Sequence, residues 1–263
     1  MASSTTQSTS NMVPKYEVKL LMNPTIVLDS DQSLTSTVQD VFKVTTAAIK
    51  MNLQFLDTNC KDIYRNGWSP RIRKMEGETA IELTYKRRYS IAEGNIEAAL
   101  TAANADGFDS TTTTFKSQVD WGYKNRTLSI HRDESYSDSG NDSLDLPDVD
   151  HSRKMLIEKA PEKFDDSGGK HWGTDKLKDS RIYGPIHVER YTGTWSEEEL
   201  DIEVWPIKDA ARTGMEYIVE ASFKVRKLTK AVEKHQELMD LLKKKGWFLA
   251  KDSLKTSLIM ERY

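Results

Sequence analysis

At 263 residues and 30.0 kDa, with 37% hydrophobic and 30% charged residues, the chain has enough apolar material for a folded core and too much for a disordered polymer. A formal net charge of −3 and a pI near 6.0 exclude a uniformly basic coat for nucleic acid, so any anion site must be a local concentration of Arg and Lys. The single cysteine, Cys60, excludes an internal disulfide; no segment reads as a signal peptide or as an apolar run of about 20 residues, so a cytoplasmic protein with no membrane partner is expected.

Residues 1–13 are Ser/Thr-rich and lack arginine, which reads as a disordered tail before one domain over residues 14–263. In "KYEVKLLM" Lys15, Glu17 and Lys19 alternate with Tyr16, Val18 and Leu20, a strand with one charged and one apolar face. Leu34, Val38, Val41, Phe42 and Ile49 fall at helical spacing and predict a helix from Asp31 to Lys50, capped by Asp31 or Ser33. Strand patterns return at "NLQFLDT", "SPRIRKM" and "TAIELTYKRRY", and a helix is expected over residues 92–105, ended by Gly107. "TTFKSQVDWGY" and "RTLSIHR" read as two more strands.

From His131 to His151 the sequence is acidic and rich in Ser, Asp and Gly, the composition of a solvated loop. Polar insertions are accordingly expected near 133–151 and 161–180, separated by a short helix near Arg153 to Ala160. The last third predicts strands at "PIHVERYTG", "ELDIEVWPI" and "MEYIVEASFKV", a basic helix from Lys227 to Lys245 stopped by Gly246, and a final strand "LKTSLIMERY". Roughly ten strands without βαβ alternation predict a mainly β, α+β fold. The expected architecture is a closed or nearly closed antiparallel β-barrel with amphipathic helices packed outside.

The strands share a feature. Glu82, Thr84, Lys86 and Arg88 oppose Ile81, Leu83, Tyr85 and Tyr89; Arg71 and Arg73 flank Ile72; Asp201 and Glu203 oppose Leu200, Ile202 and Val204; Glu220, Ser222 and Lys224 oppose Val219 and Phe223. A half-exposed sheet explains any one of these alternations. If the sheet closes with helices outside, however, the charged faces line an interior. Lys15, Lys19, Arg71, Arg73, Lys86, Arg88, Arg190 and Lys255 then outnumber Glu17, Glu82, Asp201, Glu203 and Glu220, giving a net positive cavity. Arginines there call for an anion, and phosphate matches their fork.

These residues resemble the CYTH superfamily, the triphosphate tunnel enzymes, as a divergent, fungal-type member. "KYEVK" is similar to its opening Glu-x-Glu-x-Lys, "FLDTNCKDIYRNGWSPRIRK" to its Asp-Thr turn and Arg-x-Arg strand, and "LTYK" to its Leu-Thr-x-Lys. "VERY", "LDIEVW" and "VEASFK" are similar to its later arginine, acidic and closing strands. The resemblance implies an eight-stranded tunnel binding triphosphate and Mg²⁺ or Mn²⁺. It places Glu17, Lys19, Arg71, Arg73, Lys86, Arg190, Asp201, Glu203 and Glu220 in the tunnel; with Arg88 and Lys255 added from the strand alternation, substrate contacts are expected from Arg71, Arg73, Lys86, Arg88, Arg190 and Lys255, metal ligation from Asp201, Glu203 and Glu220, and catalytic roles for Glu17, Lys19 and Glu203. Arg190 shares parity with Ile186 and Val188, so a bulge is expected beside it. Lys15 and Ser222 stand where the family places carboxylates, which removes two oxygen ligands and adds a cation.

Three functions follow. The first is hydrolysis of an inorganic or organic triphosphate, with a phosphorylated small molecule as partner, Arg71, Arg73, Lys86 and Arg190 on the phosphates, and Lys19 orienting or deprotonating water. The second is a tunnel repurposed for acyl transfer, such as a tRNA-dependent synthase of arginine-containing cyclodipeptides. There Ser222 would be the nucleophile, the acidic cluster would pair with a cationic substrate, and the basic helix would contact tRNA. The third is a non-catalytic nucleotide or polyphosphate binder.

Other motifs carry less. "GGKHW" is no P-loop, because His171 follows the lysine and Phe164 stands at the first glycine. The histidines 131, 151, 171, 187 and 235 lack zinc-ligand spacing and read as surface or structural. Cys60 reads as a structural thiol, and Trp121, Trp205 and Trp247 as packing between barrel and helices.

Overall fold

The computed structural model describes residues 10–137 and 143–263. Among these residues nine strands form one sheet: β1 Lys15–Met22, β2 Ile49–Asp57, β3 Trp68–Met75, β4 Ala80–Ser90, β5 Lys116–Trp121, β6 Arg126–Ser137, β7 Arg181–Trp195, β8 Glu198–Lys208 and β9 Met215–Val225. Their order around the barrel is β1-β5-β6-β4-β3-β2-β7-β8-β9, and β9 pairs back onto β1 to close it. Every pairing is antiparallel except β1 with β5. Closure removes the exposed edges that a charged sheet of this length would otherwise present.

Strand alternation sends one set of side chains outward into the main core, where Val18, Leu20, Ile72, Leu83, Tyr85, Leu200, Ile202 and Phe223 are buried. The helix Leu228–Lys244 covers part of that surface with Ala231, Leu238 and Leu242, and the helix Ile96–Ala105 contributes Ala99, Leu100 and Ala103. The turn after β2 is tied by Asp57, whose carboxylate accepts from the backbone N–H groups of Thr58, Ile63 and Tyr64 at 2.7, 3.0 and 2.8 Å. No helix of the described residues is long and apolar enough to cross a membrane.

Several expectations change. The helix expected over Asp31–Lys50 is confined to Ser36–Val41, because Lys43 takes a left-handed backbone (φ 52°) and Ile49 already opens β2. Gly193 is needed at the contact, since a Cβ there would collide with the Phe42 carbonyl, which accepts from Thr194 N at 2.7 Å. His131–Ser137 is strand, not loop: it completes β6 and pairs along β4 as far as Ala80↔Ser137. The polar stretch after Ala160 contains the helices Glu162–Asp165 and Trp172–Lys178.

The final strand is instead a helix, Lys255–Arg262, in which Thr256, Ile259 and Met260 recur at helical spacing and are buried. This C-terminal helix does not pack outside. Ile259 and Met260 join Met51, Leu53 and Phe55 of β2, Ile186 and Val188 of β7 and Ile207 of β8 in a second apolar cluster. Arg190 therefore needs no bulge. Ile186 and Val188 also point inward, and Arg190 pairs regularly with Ile49 and Glu203; the only irregularity of that ladder lies between Leu53 and Phe55. Of the tail residues, 1–9 lie outside the described set, while Asn11 bridges Asp109. Residues 138–142 of the acidic stretch also lie outside it.

Candidate functional site

The inward faces enclose a cavity of about 220 Å³. It is lined by Glu17, Lys19, Arg71, Arg73, Glu82, Lys86, Arg88, Arg190, Asp201, Glu203, Glu220, Ser222, Lys224 and Lys255, so strand parity and structure agree on the charged interior. Lys15 is the exception: it is exposed and does not line this cavity. Lys255 reaches the cavity from the first turn of the C-terminal helix, not from a strand.

One wall, from β3, β4 and β6, is basic. Glu82 bridges two guanidinium groups, with Oε1 2.9 Å from Arg71 Nη2 and Oε2 2.7 Å from Arg73 Nη2. Arg71 also donates to Thr84 Oγ1 at 3.0 Å, and Thr84 in turn donates to Asp133 at 3.0 Å. Arg88 donates to the hydroxyls of Ser69 and Thr256 at 2.9 and 3.1 Å and has no carboxylate partner among the described residues. The Lys86 ammonium makes no hydrogen bond or ion pair among the described residues. Burial lowers its pKa most; Asp120 opposes this, Arg88, Lys19 and Arg71 reinforce it, and the ammonium settles at about 7. Burial and Arg73 likewise bring Arg71 down to about 10.

Polar atoms on this wall are left over. Arg71 Nε, Arg73 Nε, Arg88 Nε and His131 Nδ1 are buried without a hydrogen-bond partner. Burial and the nearby Lys86 hold His131 at a pKa of about 4, so its ring is neutral at physiological pH.

The β1–β5 wall is self-neutralised. Lys19 lies 2.7 Å from Glu17 and 3.3 Å from Asp120, and Gln118 donates to both carboxylates at 2.7 Å. Burial works against the Lys19 charge, but Asp120, Glu17 and Glu220 raise its pKa well above the ordinary value. Lys19 therefore stays protonated and cannot deprotonate water. Asp120, although buried, is held far below the usual carboxylate range by Lys19, Lys86 and the Ser129 hydroxyl.

The third wall, β7–β8–β9 with the C-terminal helix, carries the residues expected to hold a metal. Glu203 Oε1 accepts from Arg190 Nε and Nη2 at 3.1 and 2.7 Å; Oε2 accepts from Trp205 Nε1 at 2.9 Å and Lys255 Nζ at 3.2 Å. Lys255 also donates to Glu220 at 2.8 Å, and Thr192 donates to Asp201 at 2.7 Å. Burial opposes ionisation of Glu203, but Lys255 and Arg190 outweigh it and keep the carboxyl well below its normal range. Asp201, Glu203 and Glu220 do not converge on a common point: the one group of three potential ligands among the described residues is Asp165, Asp166 and His171, on the surface. As arranged, this donor set does not fit a Mg²⁺ or Mn²⁺ ion, which requires free oxygens directed to one centre.

Ser222 lines the cavity opposite Lys19 and Asp201 in the ladders, and among the described residues its hydroxyl is hydrogen-bonded to no base. Several tunnel residues escaped the sequence reading. Gln118, His131, Asp133 and Trp205 all line the cavity, and Asp120 pairs with Lys19 beside it. The alternation of Gln118 and Asp120 with Ser117, Val119 and Trp121 marks the inward face of a strand already expected there, whereas His131 and Asp133 were hidden in an apparently loop-like composition. Trp205 faces the tunnel through its bond to Glu203, while Trp121 does sit against the outer helix, its ring 5.4 Å from His235. His131 accordingly belongs to the tunnel wall.

No family model matches the sequence, and no curated protein matches it in sequence. Solved structures do match in shape. HpAC1 from Hippeastrum, described as an adenylyl cyclase that reveals a dominant triphosphatase activity, superposes with a TM-score of 0.54 at 15% identity, over 94% of this chain and 99% of its own. A candidate adenylate cyclase from Bacillus halodurans superposes with a TM-score of 0.52 at 11% identity, over 95% and 98%. At these identities the likeness is one of architecture, and with the closed barrel and its charged interior it gives this chain the fold of the CYTH-like triphosphate tunnel proteins.

Proposed function

We propose that the chain is a phosphate-handling tunnel enzyme that binds an inorganic or organic triphosphate along the β3–β4–β6 wall and hydrolyses it. One observation carries this reading: Arg71 Nε, Arg73 Nε, Arg88 Nε and His131 Nδ1 are buried and unpartnered on the wall that also holds the unpaired Lys86. Leaving such groups unsatisfied costs about 1 to 3 kcal/mol each, and an anion in the cavity, with many acceptor oxygens, gives these guanidinium and imidazole groups partners once they turn toward it. The activity described for HpAC1 supports the same reading.

In the reaction, a water oxygen bonds to the terminal phosphorus as the bridging P–O bond breaks, the diphosphate leaves with the electron pair, and the water proton ends on the released phosphate. The transition state spreads negative charge over the terminal oxygens, so positioned cations contribute more than a strong base. Arg71, Arg73 and Arg88 supply fixed positive charge. Lys86 becomes charged when an anion binds beside it.

Phosphate release from tripolyphosphate and ATP tests the proposal. Wild type should release phosphate and Arg73→Ala should lose about 100-fold of that rate, the scale of one missing electrostatic contact in a transition state. Equal rates in the two proteins would move the reaction elsewhere; tight binding without release would leave a non-catalytic binder.

A further inference from the structure

Glu203 and Glu220 belong to adjacent strands and sit opposite each other in the β8–β9 ladder. Two carboxylates so placed repel unless a cation lies between them. The structure supplies that cation from its own chain. Lys255 Nζ is 3.2 Å from Glu203 Oε2 and 2.8 Å from Glu220 Oε1, and it stands 4.3 Å from the centre of the Trp205 ring. Two carboxylates and an aromatic face thus surround one ammonium, and all three side chains of the ion-pair set are nearly buried.

The lysine is also fixed in place. Its neighbour Thr256 accepts from Arg88, and Ile259, one turn on, is locked in the interior apolar cluster. The remaining acceptor capacity of Glu203 is taken by Arg190 and Trp205. On the other side of the cavity Glu17 is committed to Lys19, Gln118 and Lys224.

We infer that Lys255 is the resident cation of this tunnel: its ammonium takes the place between Glu203 and Glu220 that a divalent ion would need, and the protein carries out its chemistry without a protein-bound divalent metal. A compact, strongly hydrated ammonium can replace an ion in neutralising a carboxylate pair, but it leaves no open coordination position. The inference goes beyond the proposed hydrolysis and stands apart from it, because it concerns the free protein and is tested without substrate.

The test is Mn²⁺ titration of the full chain followed by electron paramagnetic resonance, in wild type, Lys255→Ala and Lys255→Ala/Glu220→Gln. Wild type should leave Mn²⁺ free. Lys255→Ala should bind one ion at least about tenfold more tightly than wild type, since Glu220 then loses its ion-pair partner and Glu203 Oε2 keeps only its bond from Trp205, and the double variant should lose it. A rise in the melting temperature of Lys255→Ala with Mn²⁺, absent in wild type, reports the same site if the variant is weakly folded. Stoichiometric Mn²⁺ on wild type that Glu203→Gln releases would overturn the inference, and so would a folded Lys255→Ala protein that binds none.

Discussion

Arg190 and Glu203 are directly opposed on β7 and β8, and Arg190 Nη2 lies 2.7 Å from Glu203 Oε1. Both side chains are largely buried, and Glu203 also answers Lys255, so one carboxylate bridges two cations, each of which has a second acidic neighbour: Asp201 3.9 Å from Arg190 and Glu220 2.8 Å from Lys255. Removing its charge leaves Arg190 with only the long contact to Asp201 and Lys255 with only Glu220, in a poorly solvated space. Glu203→Gln should therefore lower unfolding stability by on the order of 3 kcal/mol, the typical loss when one member of a buried pair is deleted. Urea unfolding measures it; a change within about 0.5 kcal/mol would mean the charges are solvated.

Lys86 gives the tunnel a pH signature. Its pKa of about 7, against an ordinary 10.5, means that between those values the unfolded chain holds a proton the folded chain lacks. Stability from this group consequently rises with pH across that window, and Lys86→Met should flatten the rise. Binding of tripolyphosphate should push the amine back up, so that complex formation at pH 8 takes up a proton. Calorimetry in two buffers of different ionisation heat detects it, and a buffer-independent heat in wild type would contradict this placement of Lys86.

His131 acts on the acid side. Its folded pKa of about 4 lies below the ordinary 6.5, so between these values the unfolded state again binds the extra proton and stability falls as pH falls. His131→Asn should reduce that slope between pH 4.5 and 6.5. Melting temperatures across this range check it, and an unchanged slope would assign the acid sensitivity to the carboxylates alone.

Strand parity made most of the site legible, because each inward charge on β1, β3, β4, β8 and β9 is marked by an apolar neighbour facing out. Legibility ended where that contrast disappears. In the outer half of β6, Arg132 and Glu134 pair with each other on the outside while His131 and Asp133 point inward, so neither face is apolar and the stretch resembles a loop. β7 misled in the opposite sense. Ile186 and Val188 are apolar yet inward, because the C-terminal helix gives them partners inside the barrel. Lys255 was placed in the tunnel on strand parity that the segment does not have; the spacing of Thr256, Ile259 and Met260 carries the helix instead. How Lys255 meets Glu203 and Glu220 is a tertiary fact that no local pattern contains.

The central claim is that the β3–β4–β6 wall holds a phosphate chain, and calorimetric titration of wild type and Arg73→Ala with tripolyphosphate tests it most directly. Arg73 reaches the cavity with its Nε unpartnered, and its loss should weaken binding by about 1.5 to 3 kcal/mol, because charge-assisted hydrogen bonds to an enclosed anion disappear. Wild type binding with affinity that falls on Arg73→Ala in a folded protein is the predicted result; an affinity unchanged by the substitution, or no heat of binding to wild type, would contradict it.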